Sequence, residues 1–206
     1  MLLGTLELSA ATRVTLFPEL RVGNVIPDFV VALDPLTESA RRQLQLNAIA
    51  SSVLNELTSR RLKPDAISRR LFARATTVRA TLAALWRHSL VTANDMETYA
   101  TAPWVINDPI ELVAIEAKIT RWREALAQAH RYRAFADRTY VALPSEIIDR
   151  TEAIGECAHR MGIGLIAVTS TSASVILESP SVVPRTADRM WIVGRTVGFT
   201  LPSISS

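Results

Sequence analysis

The stretch Ile110-Glu111-Leu112-Val113-Ala114-Ile115 is apolar apart from one glutamate. This pattern predicts a buried strand, taken here as 110–118. It ends in Glu116-Ala117-Lys118, an acid and a lysine two residues apart. Strand side chains alternate faces, so these two share one side. A buried strand seldom ends in a carboxylate and an ammonium on one face unless they pair or bind something. Residues 13–22 alternate, are partly β-branched and stop at Gly23-Asn24. They predict a strand whose hairpin partner is 25–33, closed by a turn at Asp34-Pro35. Residues 138–143, stopped by Pro144, predict a further strand, and 164–169 with 173–178 a hairpin around Ser170-Thr171-Ser172. Helical spacing covers 121–136 and 145–161, the latter with Ile147, Ile148, Ile154 and Ala158 inward, ahead of a turn at Gly162-Ile163-Gly164. Strands alternating with helices from residue 110 onward predict an α/β fold with a parallel or mixed sheet, the first two strands pairing antiparallel at its edge. The tail from Ser179 is rich in Pro, Ser and Thr and holds Trp191; its pattern does not decide between order and disorder.

The stretch between the first two strands and residue 110 is different. Thr37 to Arg61 carries Leu44, Leu46, Ile49, Val53, Leu54 and Leu57 at helical spacing. Pro64 and Asp65 start a short helix through Leu71. Thr76-Thr77 can cap a third helix with Val78, Leu82, Leu85 and Trp86 inward. Leu90-Val91-Thr92, a polar turn at Ala93-Asn94-Asp95 and Met96 to Tyr99 then predict a hairpin. This order over 45–104, and most of all the run from Asp65 to Thr92, resembles a winged helix-turn-helix. In that family the second and third helices form the DNA-reading pair and the hairpin is the wing. Three amphipathic helices and a hairpin can also be plain scaffold.

Charge sharpens this division. Residues 41–87 hold ten Lys or Arg and two acids, Glu56 and Asp65, a local excess of +8 that leaves −5 for the rest of a chain of net charge +3. Such asymmetry points to a nucleic-acid-facing segment, the rival being a solvated helical surface. On the DNA reading, Arg69, Arg70, Arg74, Thr77, Arg79 and Arg87 would contact phosphates of duplex DNA. The 206 residues are enough for one medium or two small domains, with 49 % hydrophobic and 21 % charged residues, ordinary for a chain with a core. The single cysteine, Cys157, excludes an internal disulfide and a cysteine-built zinc site. A reduced, cytoplasmic compartment fits best, with no secretory leader and no apolar run of about 18 residues for a membrane.

Without the helical stretch, "ELRVGNVIPDFVVALD" runs into "IELVAIEAKITRWREALAQAHRYRAFADRTYVALP". This sequence is similar to the PD-(D/E)XK nuclease superfamily, over about 13–169 around the insertion. Pro27-Asp28 matches the first acid and Glu116-Ala117-Lys118 the acid-x-lysine element. Gln128 to Tyr132 resembles the Gln-x-x-x-Tyr helix element of its recombination-type exonucleases. The resemblance implies a restriction-endonuclease-like mixed sheet flanked by helices, formed by 1–35 and 106–206 and interrupted by a winged-helix insertion at 36–105. It implies a Mg²⁺- or Mn²⁺-dependent nuclease that hydrolyses DNA phosphodiester bonds. Such chemistry needs a cation to stabilise charge and to lower the pKa of the attacking water, and Mg²⁺ takes hard oxygen ligands. Asp28, Glu116 and the Ala117 carbonyl would be the ligands. Lys118 would hold the water, neutralise phosphate or, with its pKa lowered beside a metal, act as base. Gln128 would orient water or phosphate, and Arg131 and Tyr132 would touch the substrate backbone.

Other readings accompany each residue. Asp28 after a proline can be a turn residue, Glu116 and Lys118 an edge ion pair, Gln128 and Tyr132 ordinary helix surface. Glu19 would be solvated or a further metal-site acid, and Glu7 the acid that some family members carry on an N-terminal helix. His88, His130 and His159 lie at no metal-ligand spacing. The two acids stand 88 residues apart, far beyond the family's short hairpin, so the insertion's ends must lie close together. The rivals to a nuclease are a non-catalytic DNA-binding, regulatory or defence-system protein on a nuclease-like scaffold, and a structural protein. Cutting both strands of a duplex needs two sites, which a homodimer would provide.

Overall fold

The structure is a computed structural model and describes residues 13–35, 41–42, 46–184, 186–194 and 199–200. Its strands are β1 (Arg13–Pro18), β2 (Phe29–Asp34), β3 (Arg41–Arg42), β4 (Val91–Ala93), β5 (Tyr99–Thr101), β6 (Glu111–Ala117), β7 (Arg138–Pro144), β8 (Gly164–Val168), β9 (Ala173–Leu177) and β10 (Phe199–Thr200). The helices are α1 (Ala48–Leu57), α2 (Pro64–Arg70), α3 (Ala75–Arg87), α4 (Pro103–Ile106), α5 (Trp122–Tyr132), α6 (Ser145–Asp149), α7 (Ala153–Met161) and α8 (Ala187–Ile192). They form two compact units, Met1–Thr37 with Pro109–Pro184, and Glu38–Asp108 with Arg185–Ser206.

The first unit is a mixed six-stranded sheet in the order β1-β2-β6-β7-β8-β9. The two N-terminal strands run antiparallel to each other, and β2 antiparallel to β6; β6, β7 and β8 are parallel, and β9 returns antiparallel. The apolar run at 110–115 becomes the central strand because every residue from Leu112 to Glu116 is buried. Alternation divides its side chains between two layers. Val113 and Ile115 join Val31, Leu33, Tyr140, Ala142 and Ile166 in one core cluster. Burying each such aliphatic side chain stabilises the fold by about 1.5–3 kcal/mol. The other face of β6 meets α5, whose stripe Ala125, Leu126, Ala129 and Tyr132 is buried. Gly164 begins β8 where a Cβ would lie 2.3 Å from the Tyr140 ring and 2.8 Å from the Leu177 carbonyl oxygen.

The second unit is built on α1, α2 and α3, whose inward residues Val53, Leu54, Leu57, Ile67, Val78, Leu82 and Leu85 are buried. The β4–β5 hairpin follows, and Leu62, just before α2, bridges Tyr99 with reciprocal bonds of 2.9 Å. Asn47 caps α1 by accepting from the Ala50 amide at 2.9 Å.

Several expectations are corrected. The first helix runs over 48–57, and not from residue 37, because the Asn47 cap fixes its start. Arg41–Arg42 instead pair with Phe199–Thr200, and Leu44, like Glu7, lies outside the described residues. Thr76 and Thr77 do not cap α3: Arg74 stands at that position, because a pair of bonds between Ser68 and Ala73 closes the turn earlier. Trp86 flanks the Val78-Leu82-Leu85 stripe and is 60 % exposed. The helix foreseen at 145–161 breaks after Asp149, where the Thr151 and Ile154 amides bond carbonyls three residues back. Residues 25–28 precede β2, since Val22 and Val25 close a tight turn on Gly23 (φ +57). The tail also departs from the expected division, which gave 106–206 to the sheet. The described residues beyond 185 group with the helical unit, where α8, capped by the Thr186 hydroxyl, packs on α1 and buries Met190 and Ile192.

Candidate active site

The site lies where β2 begins and β6 ends. The register pairs Phe29 with Ile115 and Val30 with Ala114. Carried one step further, it sets Asp28 abreast of Glu116. Asp28 is half-buried, and its Oδ2 accepts the Ala117 amide at 2.7 Å across 89 residues of sequence. The helical segment between them therefore leaves the two acids neighbours.

Glu116 is the buried member, 2 % exposed. Its Oε1 accepts from Lys118 Nζ at 2.6 Å, and its Oε2 from the Tyr132 hydroxyl at 2.6 Å. Glu116 and Lys118 thus share a strand face, as alternation demands. The Lys118 amide donates to the Ala142 carbonyl at 3.1 Å, which extends the β6–β7 pairing past Ala117 and fixes where the lysine leaves the sheet. Its hydrogen bond to Glu116 raises the Lys118 pKa; burial opposes, and the charges of Glu116, Asp28 and Glu124 add to the rise. Lys118 is therefore an ammonium here and a donor. Burial pushes the Tyr132 phenol well above its usual range, and its bond to Glu116 with the charges of Glu116 and Asp28 push it further. It stays neutral and donating at physiological pH.

Tyr132 was expected on the substrate backbone and is instead 2 % exposed behind Glu116. Its place in the stripe Ala125-Leu126-Ala129-Tyr132 explains this, because that stripe is the face α5 turns to the sheet. Arg131, one position earlier, is exposed. Gln128 is half-buried one turn before Tyr132, and its Oε1 is shielded from solvent without a hydrogen-bond partner among the described residues. Glu19 is exposed in a left-handed conformation (φ +49), its amide donating to the Asp28 carbonyl at 3.0 Å, so it serves the turn before β2.

Asp28, Glu116 and Lys118 sum to one net negative charge. Among the described residues no three His, Cys, Asp or Glu side chains gather as a metal-binding group. Two carboxylates suit Mg²⁺, which takes one or two and fills its remaining positions with carbonyl, water or phosphate oxygens. Both Glu116 oxygens keep a lone pair beyond the bonds they accept, and no group among the described residues engages Asp28 Oδ1. The donor set therefore fits a hard divalent cation, with the Ala117 carbonyl as a third protein oxygen.

In the helical unit Arg69, Arg70, Arg74, Arg79, Arg87 and Thr77 are all exposed. Arg79 pairs with Asp65 at 2.9 Å and Arg70 with Glu56, so both acids of the basic segment are already used. Arg69, Arg74 and Arg87 make no ion pair among the described residues. Thr77 lines an open groove of about 650 Å³ between the start of α1 and α3, with Thr76, Ala80, Ala84 and His88. No protein-family model, curated protein or solved structure matches this chain. No helix among the described residues is long and apolar enough to cross a membrane.

Proposed function

We propose that this protein is a divalent-metal-dependent deoxyribonuclease of the PD-(D/E)XK type, with a winged helix-turn-helix module inserted between its first and second acids. The observation that carries the reading is the 2.7 Å bond from the Ala117 amide to Asp28, which brings that distant acid beside Glu116 and Lys118. Asp28, Glu116 and the Ala117 carbonyl would hold Mg²⁺ or Mn²⁺, which would supply charge neutralisation and an acidified water. Tyr132 and Lys118 orient the Glu116 carboxylate from its two sides. Lys118, charged and partly exposed, neutralises an incoming phosphate and positions the water. Gln128 offers its amide to the same water or phosphate.

The order helix, short helix, helix, hairpin, with Leu62 bridged to Tyr99, supports the winged-helix reading of the second unit. Arg69, Arg74 and Arg87 would grip the phosphates of duplex DNA, and Arg131 would add a contact from the sheet unit. Incubation of the purified chain with plasmid and linear DNA plus Mg²⁺ or Mn²⁺ tests the proposal. Cleavage should be lost in Asp28→Ala and Lys118→Ala while DNA binding persists; equal background cleavage in all three proteins defeats it.

One observation favours a second reading, a DNA-binding protein that uses the sheet unit as scaffold. Each Glu116 oxygen already accepts one hydrogen bond, Oε1 from Lys118 and Oε2 from Tyr132, which holds the carboxylate without a metal. Calorimetric titration separates the two, since absence of Mg²⁺ or Mn²⁺ binding together with salt-sensitive DNA binding selects the scaffold.

A further inference from the structure

Phe72 is 98 % exposed, the most exposed large apolar side chain among the described residues. It sits in the turn between α2 and α3 with a left-handed backbone (φ +50), a conformation bulky residues avoid. The turn is braced on both sides of the ring. Ser68 donates its hydroxyl to the Ala73 carbonyl at 2.6 Å, and the Ala73 amide donates to the Ser68 carbonyl at 3.0 Å. The ring is thus held outward by a fixed turn and does not hang from a loose one. The left-handed residue directly follows Leu71, the C-cap of α2, where helices commonly end this way, so the helix terminus itself fixes the position of the ring.

The neighbours of the ring define its partner. Arg69, Arg70 and Arg74 lie within three residues of it, and Arg69 and Arg74 are exposed with no ion pair among the described residues. Its chain neighbours Leu71 and Ala73 are half-buried, and the exposed side chains within three residues of the ring are the three arginines, so the chemistry beside it is cationic. An aromatic ring among free guanidinium groups suits a nucleic acid, the ring taking a base face and the cations the phosphates. Inside an unbroken duplex both faces of every base are already stacked. An unpaired nucleotide offers one.

We infer that Phe72, with Arg69 and Arg74, is a stacking contact for an unpaired DNA base. The helical unit therefore prefers a duplex interrupted by a bulge, gap or flap to a continuous one. The inference names a substrate class for the proposed nuclease and rests on the DNA-binding reading of that unit.

The test is fluorescence anisotropy of the full chain at fixed salt, on a short continuous duplex and on the same duplex carrying one extrahelical 2-aminopurine. Wild type should bind the bulged duplex about tenfold more tightly and quench the 2-aminopurine. Phe72→Ala should lose that preference yet bind the continuous duplex as wild type does, and Phe72→Trp should keep it. Equal urea midpoints check that the variants are folded. If wild type binds no DNA at low salt, the DNA-binding reading fails and takes the inference with it. If wild type binds duplex with salt-dependent affinity but Phe72→Ala matches it on both DNAs, only the inference falls. Loss of self-association in Phe72→Ala with unchanged DNA binding also overturns it, by giving the ring to a protein interface.

Discussion

Tyr132 donates its hydroxyl to Glu116 Oε2 at 2.6 Å, with both residues 2 % exposed. The bond joins the buried face of α5 to the end of β6, so a helix fixes the rotamer of a carboxylate at the proposed metal site. Tyr132→Phe keeps the ring and its 6.1 Å contact with Phe135 and removes the donor alone. A hydrogen bond to a buried charge contributes about 1.5–3 kcal/mol, so urea unfolding should show a loss in that range. Metal-dependent cleavage should fall more than duplex binding, which the helical unit would carry.

Tyr132 also helps to set an alkaline limit, together with Tyr140 and Lys118. Tyr132 and Tyr140 have folded pKa values above the ordinary 10.0, and Lys118 one above 10.5. For groups raised on folding, stability is fully present below the unfolded pKa and is lost as pH rises beyond it, because the unfolded chain then releases protons that the folded chain retains. Urea midpoints should be level from pH 7 to 9 and fall above pH 10. The fall should be shallower in Tyr132→Phe, which removes one of the retained protons.

Much of this site is legible in the chain because it depends on local periodicity. The apolar run before Glu116 declares a buried strand, and alternation alone puts Glu116 and Lys118 on one face. The spacing from Gln128 to Tyr132 gives one helical turn. What the sequence conceals is which face of that helix turns inward, since the polar Tyr132 closes an otherwise alanine and leucine stripe. It also conceals long-range pairing. Nothing near Asp28 names the Ala117 amide as its partner, and nothing in a Pro- and Ser-rich tail announces that Met190 and Ile192 join α1. Phe72 follows Leu71 in what reads as the end of a short helix, and only the left-handed backbone turns it outward.

Lys118 and Glu116 provide a test of coupling. Lys118→Ala leaves the buried Glu116 carboxylate with Tyr132 as its one donor. Removing one partner of a fully buried pair costs about 3–5 kcal/mol. Lys118 is 30 % exposed, so solvent reduces the loss to about 1–2 kcal/mol. Lys118→Ala with Glu116→Gln should recover part of it, since the amide carries no charge to strand. A double-mutant cycle by chemical denaturation measures the coupling, and strictly additive losses would mean the pair is energetically idle.

Gly164 tests the packing that supports the sheet. A Cβ there would meet the Tyr140 ring at 2.3 Å and the Leu177 carbonyl oxygen at 2.8 Å. The ring is buried and hydrogen-bonded through its hydroxyl to Glu178 at 2.6 Å, and the carbonyl belongs to the neighbouring strand, so neither yields cheaply. Gly164→Ala should destabilise by about 1–3 kcal/mol through overpacking. Thermal unfolding should show a lower midpoint, whereas Gly155→Ala, with open space around its Cα, should hold or raise it.

The arginines of the helical unit should divide by their partners. Arg69, Arg74 and Arg87 are exposed and make no ion pair among the described residues, whereas Arg79 and Arg70 are held by Asp65 and Glu56. A guanidinium already paired with a carboxylate brings little net charge to a phosphate and releases few counterions. Each phosphate contact changes the slope of log affinity against log salt by about −0.9 on duplex DNA. Alanine at Arg69, Arg74 or Arg87 should therefore flatten that slope by nearly one unit and weaken binding to all duplexes alike. Alanine at Arg79 should change the slope far less, and Asp65→Asn, by freeing that arginine, should steepen it. Anisotropy titrations across a salt series measure all of these. Equal effects at Arg69 and Arg79 would show that the ion pairs open on binding, and no effect at any position would remove the helical unit from the DNA interface.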